Sequence, residues 1–184
     1  IKQKFMLKIL VTGGAGFIGS HTCVCLLQKG YEVVIIDSYI NSKPLSVQNI
    51  KKIIQNTHPF NKDKLNVFSG DLRDEIFLEK VFLKERKNGI PISGVIHFAG
   101  LKAVGESVIN PLMYWDNNLL STINLLKCME NNGCRTIVFS SSATIYGHSS
   151  EEFIKENSKL NPINPYGNTK ATIENLLNDL FKSK

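Results

Sequence analysis

The sequence lacks the features that mark membrane-spanning, secreted and disulfide-rich proteins. No apolar run approaches the roughly 18 consecutive residues that a membrane helix needs, so we expect no membrane partner. Four cysteines among 184 residues are too few for a disulfide framework in a chain of this size. Residues 1–6 contain neither an apolar signal core nor a cleavage site. We therefore expect a cytoplasmic protein in which residues 1–5 are an extension ahead of Met6.

Concentrated positive charge and metal-ligand spacing are missing as well. The 22 basic and 16 acidic residues give a formal net charge of +6, but lysine and arginine are scattered. Without a basic block we expect no nucleic-acid partner, and an anionic small ligand explains the mild charge equally well. Cys23 and Cys25 lie two apart on a predicted helix and so point in different directions. No two histidines have ligand spacing either, so we expect no metal site.

The sequence contains alternating strand and helix patterns. Apolar, β-rich runs predict strands at 8–12, 32–36, 65–68, 94–98 and 136–140, and helical patterns lie at 17–29, 74–87, 111–132 and 165–181. The polar stretch up to about Lys64 shows only weak helical patterning, and a loop is predicted up to about Pro111. Apolar strands separated by helices form parallel sheets that are covered on both faces. We predict an α/β fold, a doubly wound parallel sheet of the Rossmann type in the order 3-2-1-4-5.

A glycine-rich loop lies between the first predicted strand and the first predicted helix. It satisfies G-x-G-x-x-G spacing through Gly14, Gly16 and Gly19, and G-x-x-G-x-x-G spacing through Gly13, Gly16 and Gly19. Missing side chains allow the tight turn, the close approach of backbone to a pyrophosphate, and close helix–strand packing. An ordinary strand–helix turn can also carry glycines, but the strand, turn, helix and second strand follow here in order. The loop therefore predicts a phosphate-binding turn.

Asp37 closes the second predicted strand, 18 residues after Gly19, the last glycine of the loop. A carboxylate at this place accepts hydrogen bonds from an adenosine ribose. It also repels a 2′-phosphate, and neither Ser38 nor Tyr39 offers a guanidinium to bind one. Alone, Asp37 would be interpreted as a turn residue at a strand end. Together with the glycines it predicts dinucleotide binding, with NAD favoured over NADP.

Tyr166 and Lys170 lie four residues apart at the start of the last predicted helix, so they share one face. A neighbouring ammonium favours the phenolate form of a tyrosine, which can then take a proton from a substrate hydroxyl. The spacing is common by chance and also fits a solvated helix face. The serine-rich run 140–144 favours the catalytic hypothesis, because it follows the fifth predicted strand. Ligands bind at the carboxyl ends of strands in open α/β sheets.

These motifs, in this order, resemble the extended short-chain dehydrogenase/reductase superfamily. The glycine loop, the serine run and Tyr-x-x-x-Lys carry the general likeness. Finer similarity to the UDP-glucose 4-epimerase family lies in the segments 11–22, 97–108, 139–147 and 164–167. The Phe-Ala-Gly-Leu-Lys-Ala-Val-Gly-Glu-Ser stretch is specific to that family among its relatives. The resemblance covers nearly the whole chain from Met6 onward and is weakest over 50–64.

The resemblance implies roles for individual positions. It makes Tyr166 the catalytic base, with Lys170 holding the nicotinamide ribose and Ser142 and Thr144 bonding the sugar 4-hydroxyl. The implied substrate contacts are Lys102, Ser142, Thr144 and Tyr166. The implied NAD contacts run from the pyrophosphate (Gly13, Gly16, Phe17, Ile18, Gly19) through the adenosine ribose (Asp37, Ser38, Tyr39, Ile40, Asn41, Ser42) and the adenine (Asp71, Leu72) to the nicotinamide half (Phe98, Ala99, Gly100, Leu101, Lys102, Asn117, Ser142, Tyr166, Lys170).

The implied reaction interconverts UDP-glucose and UDP-galactose, as in galactose metabolism. Hydride leaves sugar C4 for NAD, the 4-keto sugar turns over, and hydride returns to its other face. Two alternatives stay open: an NAD-binding module without turnover, and a nucleotide-sugar 4,6-dehydratase relative. The dehydratases typically carry an Asp-Glu pair beside the catalytic threonine, whereas Ala143 and Ile145 flank Thr144 here.

The resemblance also bears on domain organisation and assembly. Chains of the family are nearly twice as long, and their later portion supplies most of the uracil and sugar pocket. We therefore expect 6–184 to be an NAD-binding domain that lacks a C-terminal substrate-binding part. By resemblance, the predicted helices 111–132 and 165–181 pack against their mates in a homodimer. Their apolar stripes fit burial within one chain equally well.

Overall fold

The computed structural model describes residues 7–148 and 152–183, so the predicted extension 1–5 lies outside the described residues. These residues form two compact units. The first contains 7–99 and 124–140, and the second contains 100–123 with 141–148 and 152–183. Among the described residues, no helix is both long and apolar enough to cross a bilayer.

The first unit contains one parallel sheet flanked by helices. Its strands within the described residues are β1 (Lys8–Thr12), β2 (Glu32–Asp37), β3 (Leu65–Ser69), β4 (Ile92–His97) and β5 (Ile137–Phe139). They pair in the order β3-β2-β1-β4-β5, all in parallel, which confirms the predicted doubly wound topology. The α-helices that lie entirely within this unit, among the described residues, are α1 (Phe17–Gln28), α2 (Pro44–Thr57) and α3 (Glu75–Lys87).

Period-two alternation along the strands divides the core of the first unit into two layers. Leu10 and Val34 belong to one cluster, which α3 and the segment 124–134 cover through residues such as Leu78 and Leu125. The neighbouring positions Val11, Val33 and Ile35 belong to the other cluster, which α1 and α2 cover. Each face of the sheet is therefore covered, as apolar strands in a parallel sheet require.

The second unit is helical among its described residues. It contains α4 (Val104–Ile109), α5 (Pro111–Tyr114), a π-helical segment (Trp115–Leu120), the start of α6 (Ser121–Asn131) and α7 (Pro165–Lys182). A 3-10 turn at Ala143–Tyr146 completes it. Asn164 caps α7, because its side-chain oxygen accepts a hydrogen bond from Gly167 N, and Pro165 occupies the first helical position.

The structure corrects three expectations about the helices. The stretch with weak helical patterning contains α2, whose buried side chains Val47, Ile50 and Ile54 form one face. The loop predicted before Pro111 contains the six-residue α4. The predicted helix 111–132 is not uniformly α-helical, because its residues from Trp115 to Leu120 are π-helical.

Candidate active site

The glycine loop between β1 and α1 has a conformation that requires glycine at two positions. Gly13 has φ +66°, and a Cβ atom there would lie 2.8 Å from Ala99 N. A Cβ on Gly19 would collide with the carbonyl oxygen of Gly13. The missing side chains therefore let α1 begin directly against the turn, as the sequence spacing predicts.

The start of α1 presents free space and backbone donors. Gly16 is its N-cap and supplies no side-chain hydrogen bond, and the first turn has no acidic residue. The first N–H groups of a helix have no partner within that helix, and the helix dipole is positive at this end. Phe17 and Ile18 are 78% and 59% exposed. This cradle can hold a phosphate group, because nothing from the helix itself fills it.

Asp37 at the end of β2 binds the glycine loop and the turn that follows the strand. Its Oδ2 accepts a hydrogen bond from Ala15 N at 2.9 Å. Its Oδ1 accepts from Tyr39 N at 2.9 Å and from Ser42 Oγ at 2.8 Å. Tyr39 adopts a left-handed φ of +59° in this turn. The carboxylate therefore fixes the loop that the sequence predicts to bind the dinucleotide, and its remaining lone pairs can accept further hydrogen bonds.

The other predicted adenosine contacts of the first unit differ in exposure. Ser38, Ile40 and Asn41 are exposed. Asp71 forms a salt bridge with Arg73 at 2.7 Å, and the hydrogen bonds from Arg73 hold the pKa of that carboxyl below its ordinary value. The Leu72 side chain is buried in the core cluster. The half-buried Phe98 and Ala99 lie next to Gly13.

In the second unit, α7 carries the predicted Tyr–Lys pair on a buried face. The Lys170 Nζ lies 6.0 Å from the centroid of the Tyr166 ring. Both side chains are less than a tenth exposed. Burial lowers the pKa of Lys170 from its ordinary value of 10.5 to about 8. A group with that pKa is still mostly protonated at pH 7, so a cation is available near the phenol.

Thr144 lies on the 3-10 turn that packs against the start of α7, and Ser142 is the N-cap of that turn. Thr144 Oγ1 donates a hydrogen bond to Ser142 Oγ at 2.9 Å, so the two hydroxyls form a pair. A Cβ on Gly167 would lie 2.9 Å from the Thr144 carbonyl oxygen, so glycine at that position permits the close packing. The structure thus brings the predicted catalytic residues Ser142, Thr144, Tyr166 and Lys170 onto two adjoining segments of one unit.

Asn118, which the sequence did not single out, connects three segments of the second unit. Its Oδ1 accepts from Leu101 N at 2.8 Å, and its Nδ2 donates to Leu101 O at 3.0 Å and to Thr169 Oγ1 at 3.2 Å. Thr169 Oγ1 in turn donates to the carbonyl oxygen of Tyr166 at 2.7 Å. Gly100, with φ +152°, allows this approach, because a Cβ there would lie 3.1 Å from Asn118 Oδ1.

The remaining predicted contacts of the second unit surround Asn118. Asn117 precedes it in the π-helical segment and is half-buried, whereas Lys102 follows Leu101 and is exposed. The sequence feature that could have pointed to Asn118 was the pair of adjacent asparagines within a helical pattern. Only the structure distinguishes the buried Asn118 from Asn117.

Fold and site together define a doubly wound dinucleotide-binding type of protein that also carries a Tyr-x-x-x-Lys helix. Residues 10–184 match the family model described as GDP-mannose 4,6 dehydratase. The chain belongs to this family of extended short-chain dehydrogenases/reductases.

Individual relatives are similar over nearly the whole chain. UDP-glucose 4-epimerase 2 of Arabidopsis thaliana is 47% identical over 175 residues, which are 95% of this chain and 47% of the relative. UDP-glucose 4-epimerase of Bacillus subtilis is 48% identical over 174 residues, 95% of this chain and 48% of the relative. A crystal structure of the Bifidobacterium longum UDP-glucose 4-epimerase, in complex with NAD+ and UDP, matches with a TM-score of 0.87 and 44% identity over 96% of this chain and 50% of that one. The chain therefore spans about half the length of the relatives it matches.

Proposed function

We propose that residues 6–184 are the NAD-binding domain of a UDP-glucose 4-epimerase, which interconverts UDP-glucose and UDP-galactose in galactose metabolism. The observation that carries the proposal is the buried Tyr166–Lys170 pair beside the Ser142–Thr144 hydroxyl pair. The similarity of the chain to epimerases from a plant and a bacterium supports the substrate class.

NAD fits the residues of the first unit. The glycine cradle at the start of α1 leaves room for a pyrophosphate, and Asp37 has acceptor capacity for ribose hydroxyls. The carboxylate of Asp37 disfavours the 2′-phosphate of NADP, and Ser38 beside it is uncharged. When bound, NAD would accept a hydride from the sugar C4 and give it back.

In the second unit, the proposed roles are proton transfer and orientation. The Tyr166 oxygen would take the proton of the sugar 4-hydroxyl and later return it. The Lys170 ammonium would stabilise the tyrosine oxygen while it is negatively charged. Ser142 and Thr144 would hydrogen-bond the same sugar oxygen, and their mutual hydrogen bond already orients them. Lys102, which is exposed, would meet the substrate from the loop after β4.

An epimerase explains the site better than a dehydratase does, despite the description of the family model. Elimination of water from a sugar needs a general acid placed beside the catalytic hydroxyl. Thr144 is flanked by Ala143 and Ile145, neither of which has a proton to give. Epimerisation at C4 requires a single base that is used twice, and Tyr166 can supply it.

We also propose a cytoplasmic homodimer. Leu112 and Phe181 are 82% and 83% exposed, and Leu120 is 40% exposed. All three lie on the helices that the resemblance assigns to the interface. Apolar side chains at these exposures favour burial by a second copy. The four cysteines are free thiols in the described part of the chain, which fits a reducing compartment. Light scattering would measure the mass in solution, and a monomer at all concentrations would contradict the dimer.

The proposed activity is tested by incubating the chain with UDP-galactose and NAD and measuring UDP-glucose. We expect Tyr166→Phe to abolish turnover while the increase in thermal stability on adding NAD is kept. Tyr31→Phe, which removes a hydroxyl from the first unit, serves as the control and should keep both. NAD binding without any product from the wild-type chain would instead support the binding module without turnover. Failure to bind NAD would contradict both.

A further inference from the structure

Glu106 belongs to the specific stretch 97–108, yet the proposed reaction gives it no role. It lies on α4 and is an exposed residue. Its side chain nevertheless reaches a buried partner. Tyr114 at the end of α5 is fully buried, and its phenol O–H donates to Glu106 Oε2 at 2.8 Å.

The Tyr114 hydroxyl remains a hydrogen-bond donor over the physiological pH range. Burial, followed by the contact with Glu106, raises the pKa of Tyr114 to about 12. Tyr114 therefore keeps its proton and remains a donor. A carboxylate that accepts a hydrogen bond from a phenol forms a charge-assisted bond, which is stronger than a neutral one. The ring of Tyr114 is thus fixed at its hydroxyl end.

The fixed ring of Tyr114 lies against the ring of Tyr166. The two centroids are 6.4 Å apart and the planes meet at 80°, which is an edge-to-face arrangement. Such pairs are favourable beyond the area they bury. Lys170 Nζ lies 6.0 Å from the centroid of the same Tyr166 ring. Any rotation of the Tyr166 ring away from its present plane would lose the edge-to-face contact.

We propose that Tyr114 is a positioning residue for Tyr166 and that Glu106 holds Tyr114 in place. A base that transfers a proton must be held within about 0.5 Å and 10–20° of its productive position. The Tyr114 ring supplies part of that restraint on Tyr166, and Glu106 supplies the restraint on Tyr114. The catalytic part of this inference rests on the proposed function, but the restraint itself does not.

Glu106 offers a matched pair of variants. Glu106→Gln keeps an oxygen that accepts from the Tyr114 hydroxyl, whereas Glu106→Ala removes the acceptor. Because Glu106 is exposed, both variants should fold. Glu156→Ala, at another exposed glutamate of the second unit, controls for the loss of a carboxylate. Tyr114→Leu removes the ring itself and is the harsher test, because Tyr114 is fully buried.

The restraint is measured without any reaction, by NMR of the chain with 13C-labelled tyrosine. The sequence has five tyrosines, and the Tyr166 signal is the one absent from Tyr166→Phe. We expect this signal to shift or broaden in Glu106→Ala and to stay at the wild-type position in Glu106→Gln and Glu156→Ala. A Tyr166 signal unchanged in Glu106→Ala would overturn the role of Glu106. One also unchanged in a folded Tyr114→Leu would overturn the role of Tyr114.

Kinetics then test the catalytic consequence. Loss of one edge-to-face contact should lower kcat for UDP-galactose by about 2- to 10-fold in Glu106→Ala. The KM should stay unchanged, because neither side chain is assigned to the substrate, and Glu106→Gln should restore kcat. An equal fall in kcat for both variants would show that the charge matters rather than the position, and would overturn the inference. If the wild-type chain has no turnover, the proposed epimerase activity fails for this chain, while the NMR result still decides the restraint.

Discussion

Replacing Lys170 with methionine should stabilise the ligand-free protein at neutral pH. Lys170 is 5% exposed, and burial lowers its pKa from 10.5 to about 8. The folded protein therefore binds this proton less tightly than the unfolded chain does, which favours unfolding wherever the unfolded lysine is protonated. At 1.36 kcal/mol per pH unit, the gap corresponds to about 3 kcal/mol. Methionine has a similar length and carries no charge to desolvate.

The pH dependence is the specific part of this prediction. The penalty on Lys170 is complete below pH 8, declines as the pH rises from 8 to 10.5, and is absent above 10.5. Urea unfolding followed by circular dichroism, without nucleotide and with a reductant, would give the free energy of unfolding of both proteins. The advantage of Lys170→Met should shrink by about 2 kcal/mol between pH 7 and pH 10.

Lys182→Met provides the control, because this lysine is exposed in the last turn of the same helix. Its free energy of unfolding should run parallel to that of the wild type over the whole pH range. The reasoning is refuted if the difference between Lys170→Met and the wild type is also constant with pH. In that case burial would not penalise the ammonium.

Three further predictions concern the first unit. Glu85→Ala removes the nearer of the two carboxylates beside the buried Lys8, at 2.8 Å, and leaves Glu32 at 3.2 Å, so it should lower the free energy of unfolding in urea by up to about 3 kcal/mol. The double variant Glu85→Leu with Lys8→Met should recover most of that loss. A double variant with no higher free energy of unfolding than Glu85→Ala would contradict the pairing. Gly13→Ala should weaken NAD binding about 10-fold or more by calorimetry, whereas Gly105→Ala, whose Cβ would meet nothing within 4 Å, should not. Asp37→Asn should raise the affinity for NADP relative to NAD about 10-fold, and an unchanged ratio would contradict the repulsion argument.

Much of the first unit was predictable because its determinants are local. The central strands β1 and β2 consist mainly of consecutive apolar residues, and burial on both faces of a parallel sheet imposes that composition. The missed helix α2 had a usable pattern, since Val47, Ile50 and Ile54 recur at helical spacing. The six-residue α4 had none, because a single turn and a half is too short for periodicity to show.

The features of the site also divide into those that the sequence predicts and those that it does not. The glycine loop and the Tyr166–Lys170 pair are short-range motifs, so the residues of each lie close together in the sequence and can be recognised there. The contact between Asp37 and Ala15 was not predictable, because it depends on how β2 pairs with β1. The π-helical segment was not predictable either, since Asn118 is held by hydrogen bonds to Leu101 and Thr169, which lie far from it along the chain.

The helices α4 and α5, which pack against α7, are short, and this explains why side chains far from Tyr166 along the chain matter in the second unit. Helices of six and four residues, such as α4 and α5, are not stable in isolation, because too few backbone hydrogen bonds offset the cost of nucleation. Their positions must be set by side chains, and the bonds of Tyr114 to Glu106 and of Asn118 to Leu101 are of that kind. A substitution at these residues therefore acts on the geometry around Tyr166, although none of them is assigned to the proton transfer. Motif comparison includes Glu106 without giving it a role, and it does not single out Tyr114 or Asn118.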